Sequence, residues 1–523
     1  MSEYTAPIGL NSELERAEGR DATVWWLAVV GSMASLASYY YFNRMGDVLL
    51  YKDAISHMEI ARRVIDSPTT GFGQLGGVWL PLPHLLMLPL IWIDSMYYSG
   101  LAGSLVSMAS YVVTGVLIYR IVHDLTHRKL AALVGALTFM SNPGVLYMQS
   151  TPMTELLLFA CIAGMVYGVQ RWVQTDNWVY LAGAASAALL GTLTRYESWV
   201  LLAALAVVIV FVAWRKGYSW SRIEGTVLAF LFMSGTGIVG WLGWNQLIFG
   251  NALYFQNGRY AKPSLWVGAG DIAVGHWSIA LRTYWYAMVD DLRLPVVAVM
   301  AAGLVAMLIR ERLSLRTLPA LSTFSLFAFF VFALESGQRP LHVTQLTGDL
   351  YNVRFGLLMI LPAAICGGYL AGCSSRWRAL QFVGLAGVTV ICLSVTASGF
   401  RHTEQIATLQ EPLRWQQNAT DTEATAAAFL KRHYSKGRIL AQFFGSESLL
   451  FDARISPGNN VYEGSYRQWE PDLNAPAENG IRWIIMRNRD KSDEVYLELK
   501  NSPELQFYSK VFYNRQFTIY EMR

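Results

Sequence analysis

Long apolar runs separated by short polar turns make up most of this chain. A helix needs about 20 apolar residues to cross a bilayer. Runs of that order fall at 23–42, 100–119, 130–148, 153–170, 179–194, 196–213, 226–246, 294–309, 317–334, 355–373 and 379–398, which predicts about eleven transmembrane helices. A further apolar run, 79–94, is short and carries Pro81, Pro83 and Pro89. Proline removes a backbone donor and breaks helices, so this run is expected to lie in the interface or re-enter rather than cross.

That choice sets the topology. If 79–94 does not cross, the basic loops 120–129, 171–177, 215–222, 310–316 and 376–378 share one side, and lysine and arginine favour the cytoplasmic side. The N-terminus is then cytoplasmic. The loops 43–98, 247–293 and 335–354 lie outside, together with the tail 400–523. The tail shows a helical pattern at 423–434 and strand-like runs at 438–444, 481–486 and 511–520. The expected fold is an α-helical polytopic membrane domain over 1–399, followed by a small extracytoplasmic α/β domain over 400–523.

Composition agrees with many spans rather than one large soluble core. Hydrophobic residues make up 54% of the chain and charged residues 15%, where a soluble domain carries about a quarter charged. A net charge of +4 without a basic patch interleaved with aromatics does not suggest a nucleic-acid partner. Cys161, Cys366, Cys373 and Cys392 all sit in apolar runs without CxxC spacing, so neither a disulfide framework nor a structural zinc site is expected. The first twenty residues are polar and of mixed charge, without a cleavable signal pattern, so the first apolar run is expected to be retained. Asn418-Ala-Thr is a formal sequon, relevant only in a glycosylating compartment.

Candidate chemistry gathers on the outer side. In the first outer loop, Ile55, Met58, Ala61 and Ile65 form an apolar stripe at helical spacing, and Asp53 and His57 share another face. Asp53 could act as a general base toward an acceptor hydroxyl, or simply complement the helix dipole and cap it. Asp47, nearer the end of the first span, is the competing carboxylate, and Arg62 and Arg63 are further cations that could hold phosphate. Glu155 opens an apolar helix where Thr151 or Thr154 can cap it, and a carboxylate at a span entrance is a functional candidate. Arg195 lies in an outer turn beside Glu197, and its planar guanidinium suits phosphate. Arg259 lies in an aromatic outer loop, and Arg354 begins a span after Asn352.

These features resemble the GT-C membrane glycosyltransferases, in particular the branch holding protein O-mannosyltransferases and the lipid A aminoarabinose transferase. The stretch Asp53-Ala-Ile-Ser-His57-Met-Glu-Ile-Ala61-Arg62 is similar to that family's D-E-x-x-Y-x-x-x-A-R helix, with Ala54 in place of the second acid and His57 in place of the aromatic. Trp79-Leu-Pro81-Leu-Pro83-His84 resembles its proline-bearing interfacial helix, and Thr194-Arg195 its Lys/Arg turn. Glu155 resembles its acid at the outer end of a later span. Arg354-Phe355 with Pro362 resembles its R-[YF] element followed by proline.

The resemblance implies an inverting transferase of the plasma membrane. Its donor would be a polyprenyl-phosphate sugar and its acceptor a glycan, lipid or protein. Asp53 would be the base. His57, Asp47, Arg195, Arg259 and Arg354 would contact substrate, and Glu155 is the candidate ligand should a divalent metal take part. The competing reading is a multi-pass transporter or lipid flippase, which predicts charges at mid-membrane. A third is a non-catalytic assembly protein, in which Asp53 and the arginines would not meet.

Overall fold

The computed structural model describes residues 21–268, 270–373, 378–418 and 422–523. The N-terminal twenty residues, most of the basic loop 376–378 and the Ala419-Thr420 half of the sequon lie outside them. The protein is a mostly helical, multi-pass membrane protein ending in a small sheet domain. Among the described residues, nine helices are long and apolar enough to cross a membrane: Ala22–Met45, Leu101–Thr126, Glu155–Thr175, Glu197–Arg215, Trp220–Phe249, Leu294–Glu311, Leu318–Glu335, Val353–Gly372 and Phe382–Arg401. The other two expected spans form shorter helices, Lys129–Met140 and Trp178–Thr192.

The run 130–148 is divided for a local reason. The Asn142 side chain accepts the Val145 N–H at 3.0 Å, and Pro143 takes the first position of a new helix, Pro143–Met148. An asparagine cap followed by proline starts a helix rather than continuing one. The run 79–94 becomes the ten-residue helix Leu82–Ile91, well under crossing length.

Val353–Gly372 is the central element, with 94% of its apolar window buried. Small residues let its neighbours close in. A Cβ on Gly303 would stand 2.1 Å from the Cys366 carbonyl oxygen, and one on Gly368 would stand 3.0 Å from the Gly135 Cα. Such positions are how membrane helices gain close van der Waals packing, since lipid itself is apolar. By contrast Ala22–Met45 turns Trp25, Trp26 and Met33 outward.

The tail carries a five-stranded sheet of β1 (Arg438–Leu440), β2 (Asn460–Val461), β3 (Ile481–Arg487), β4 (Tyr508–Tyr513) and β5 (Phe517–Met522), in the order β2-β1-β3-β5-β4. β1 runs parallel to β2 and β3, while β5 is antiparallel to β3 and β4. Only the start of the expected strand 438–444 pairs. The run 511–520 splits in two because the Asn514 side chain accepts the N–H groups of Gln516 and Phe517 at 2.9 and 2.7 Å, an asparagine-built turn.

The sheet domain rests on the loop after the first span. Asp66 accepts from the Ser456 hydroxyl at 2.7 Å, and Gln74 donates to the Gly464 carbonyl at 3.1 Å. The helix Ala407–Asn418, which precedes the sheet, packs against Pro143–Met148 and the start of the central helix.

Candidate active site

The helix Lys52–Arg63 presents Asp53 in its first turn. Residue Tyr51, at its N-cap, is extended and makes no side-chain capping bond, so the dipole at this end is met by Asp53 alone. Ile55, Met58 and Ala61 pack against Met87, Ile91 and Tyr97, as the stripe requires. Ile65 falls beyond the helix end and is exposed, so the stripe is one residue shorter than its periodicity predicted. The Asp53 carboxylate itself keeps 41% of its side-chain surface open.

Arg354 is the hub. Its Nη2 donates to Asp53 Oδ2 at 2.5 Å, its Nε to Glu155 Oε1 at 3.1 Å, and its Nη1 stands 3.6 Å from Glu411 Oε1. Arg195 continues the chain of charges. Its Nη1 donates to Glu155 Oε1 and to the Thr154 hydroxyl, both at 3.0 Å, and its Nη2 donates to Glu197 Oε1 at 3.0 Å. Four of the expected residues, Asp53, Glu155, Arg195 and Arg354, are therefore joined by direct bonds although the chain separates them widely. Burying this many charges is tolerable only because each finds an opposite partner. Glu155 Oε2 is the exception, buried without a hydrogen-bond partner among the described residues.

One local expectation changes. Neither threonine caps the helix that Glu155 opens: the Thr154 hydroxyl is engaged by Arg195, and the Thr151 hydroxyl donates to the Met148 carbonyl at 2.7 Å. Glu155, the candidate metal ligand, bridges two cations through one oxygen. A dication there would face their repulsion. Among the described residues, no set of three His, Cys, Asp or Glu side chains is placed to share a metal ion.

His57 stands beside the cluster. Its Nδ1 lies 2.9 Å from His84 Nε2, and its ring packs on Trp79 with centroids 4.4 Å apart. Burial, with Arg195 and Arg354 nearby, pushes its imidazole down to about 3, so it is neutral at physiological pH and can exchange hydrogen bonds without adding charge.

The remaining expected residues stand apart. Asp47 follows the left-handed Gly46, its carbonyl accepts from Tyr147 Oη at 3.1 Å, and burial raises its carboxyl. Among the described residues it forms no ion pair with the cluster. Arg259 is an exposed side chain paired with Glu494 of the tail at 2.9 Å, so it serves a loop-to-tail contact. Arg62 is taken by Asp66 and Asp94, and Arg63 lies between the rings of Phe443 and Tyr462. Arg62 is thus committed to two carboxylates, and Arg63 to two aromatic rings of the tail.

The structure adds residues that the sequence did not point to. Glu411 arrives from the helix after the last span, where no motif marks it. Arg339 is half-buried beside Tyr196, 6.0 Å from the ring centroid, and burial lowers its guanidinium from the ordinary value despite nearby Glu197. It makes no ion pair among the described residues. Together the groups offer one open carboxylate, two guanidinium groups paired with acids, a third at Arg339 without an ion pair among the described residues, and a neutral histidine pair beside them. An acid beside cations suits proton removal from a hydroxyl while negative charge grows nearby.

Comparison with known proteins bears on the fold. Residues 96–241, less than half of the chain, match the family model described as dolichyl-phosphate-mannose-protein mannosyltransferase. Among solved structures the chain is similar to ArnT from Cupriavidus metallidurans bound to undecaprenyl phosphate, with a TM-score of 0.61 and 14% identity over 94% of this chain and 97% of that one. It is also similar to the same protein in its apo state, with a TM-score of 0.57 and 13% identity over 96% and 98%. No curated protein matches the sequence. The likeness to ArnT bears out the resemblance to the GT-C transferases at the level of fold, and the matched family model agrees with it.

Proposed function

We propose that the protein is an inverting glycosyltransferase that moves a sugar from a polyprenyl-phosphate donor to a hydroxyl of a glycan, lipid or protein acceptor. It would act at the outer face of the plasma membrane, with the N-terminus inside and the tail outside. The observation that carries this reading is the unbroken path Asp53–Arg354–Glu155–Arg195, which places an open carboxylate and two guanidinium groups in one cluster. The matched mannosyltransferase family model and the likeness to a protein crystallised with undecaprenyl phosphate support the same class of donor.

In this mechanism the acceptor oxygen attacks the anomeric carbon as the bond to the carrier phosphate breaks. Asp53 takes the hydroxyl proton, so the acceptor does not become a cation. The departing lipid phosphate leaves with the bonding pair and needs fixed positive charge. Arg195 and Arg354 supply it, and Arg339 adds the cation whose charge is least committed among the described residues. Arg354 also orients the Asp53 carboxylate, which shortens the search for a reactive geometry.

The test is donor turnover by purified protein against a panel of undecaprenyl-phosphate sugars, comparing the natural sequence with Asp53→Asn. The substitution keeps size and a hydrogen-bond acceptor for Arg354 but removes the base, so turnover should fall by about 10²–10⁴ with the fold intact. Undiminished activity in Asp53→Asn would remove that residue from the mechanism.

A further inference from the structure

Glu411 is buried, with 3% of its surface exposed, and both of its oxygens are taken by backbone. Oε1 accepts the N–H of Asn352 at 2.9 Å, and Oε2 accepts the N–H of Val353 at 2.9 Å. Those two residues open the tight helical turn Val353–Met359 that carries Arg354. The first N–H groups of any helix lack partners within it, and here the cap comes from a segment almost sixty residues further along the chain. Asn352 sits in the left-handed region, φ 54°, and its side chain donates to the Pro340 carbonyl at 3.1 Å. A backbone held in that conformation depends on its surroundings to stay there.

The same helix also reaches the base. The Tyr51 hydroxyl donates to the Thr408 carbonyl at 2.6 Å and stands 3.4 Å from Glu411 Oε2. Tyr51 is the N-cap of the helix bearing Asp53, and its ring lies 4.8 Å beneath the Arg354 guanidinium. One carboxylate thus touches the segment that aims the guanidinium, the guanidinium itself and the residue from which the Asp53 helix starts.

We infer that Glu411 is a positioning residue, which fixes the turn at Asn352–Val353 and the Tyr51 anchor so that Asp53 and Arg354 meet in register. The inference rests on the reading of Asp53 and Arg354 as active-site groups. It assigns the helix Ala407–Asn418 a part in the chemistry rather than the role of a linker to the tail.

The test compares Glu411→Gln, Glu411→Ala and Tyr51→Phe with the natural sequence, in nanodiscs. Amide hydrogen exchange is read over 50–56 and 350–356, and kcat and KM are read with an undecaprenyl-phosphate sugar. Glu411→Gln keeps one acceptor of the two, so exchange at 350–356 should quicken about tenfold or more while the spans stay protected. A displacement of about 1 Å costs about 10²-fold, so kcat should fall between about 10- and 100-fold with KM within about threefold. Tyr51→Phe should quicken exchange at 50–56 alone. A purely structural role would lower the melting temperature of Glu411→Gln with kcat unchanged, and that overturns the inference. Unchanged exchange in both Glu411 variants overturns it too. Should Glu411→Ala fail to fold, Glu411→Gln and Tyr51→Phe still decide. An inactive natural protein whose variants show the quickened exchange would sink the transferase reading and leave the positioning role standing.

Discussion

The two ends of the helix Lys52–Arg63 bury charge in opposite ways. At the start, Asp53 meets Arg354, which in turn meets Glu155 and Glu411. At the far end, Glu59 and Arg63 press against the tail. Arg63 lies 4.1 Å from the Phe443 ring centroid and 4.6 Å from that of Tyr462, with its Nε and Nη1 buried and without hydrogen-bond partners. Burial pushes the Glu59 carboxyl up to about 8, Arg63 opposing and Glu447 and Asp452 adding to the rise. Nearby Glu463 is pushed up to about 7 and Asp452 to about 6, again by burial first. Burial of a titratable group therefore does not by itself mark a site of chemistry. One end answers its buried charge with ion pairs, and at the other burial pushes the acids up.

The largest expected effect follows from breaking the paired end. Arg354→Gln would leave three carboxylates facing one another without the guanidinium, and removing one partner of a buried pair costs about 3–5 kcal/mol. Turnover should fall by about 10²–10³, the loss typical of a missing oxyanion donor, and the melting temperature should drop as well. Thermal unfolding and donor turnover measured together check both parts. If stability falls while turnover survives, the cluster is structural and the contrast between the two ends disappears.

A smaller effect belongs to the far end. The Glu59 carboxyl takes up a proton on folding anywhere between its ordinary 4.5 and about 8. In that window the folded protein binds more protons than the unfolded chain, so stability falls as pH rises. The contribution is whole at acid pH and is lost as pH passes through about 8. The melting temperature should decline by several degrees between about pH 6.5 and pH 8.5, with Glu463 contributing in the same direction. Glu59→Gln should flatten the decline. His57 and His84, both held down by burial, act in the opposite direction below about 6.5, where the unfolded chain binds protons that the folded protein does not. His342, raised to about 9 by its bond to Asp271, adds to the decline above that, so the far end's share is the part that Glu59→Gln removes. A slope unchanged in Glu59→Gln would place the proton uptake elsewhere.

The company of Asp53, Glu155, Arg195 and Arg354 was legible, because spans of opposite direction return their ends to the same surface. What the pattern does not carry is which acid meets which cation across hundreds of residues. Arg259 reads like any other loop arginine, yet Glu494 of the tail holds it. Glu411 follows the last span in a polar stretch without a motif, and only the packing of its helix shows that it reaches Asn352. The break at Asn142-Pro143 was present as a cap-and-proline pair inside an apolar run, and hydropathy alone smooths it away. In the tail, strand ends depend on pairing rather than on residue type, so 438–444 reads longer than β1 is.

The smallest effect sharpens the comparison most closely, since it is measured next to the base. Lys52 precedes Asp53 and pairs with Glu423 of the tail at 2.8 Å, with 59% of its side chain exposed. An exposed pair contributes about 0.2–1 kcal/mol, and at physiological salt its field fades over about 8 Å. Lys52→Ala should therefore leave donor turnover within about twofold, and raising the salt concentration should erase any difference in melting temperature. Glu423 also accepts from the Ser448 hydroxyl at 2.7 Å, so the tail keeps a hold on that acid after Lys52 is gone. A tenfold loss of turnover in Lys52→Ala would mean that the start of the helix is set by the tail through this pair, and that the helix's two ends do not work independently.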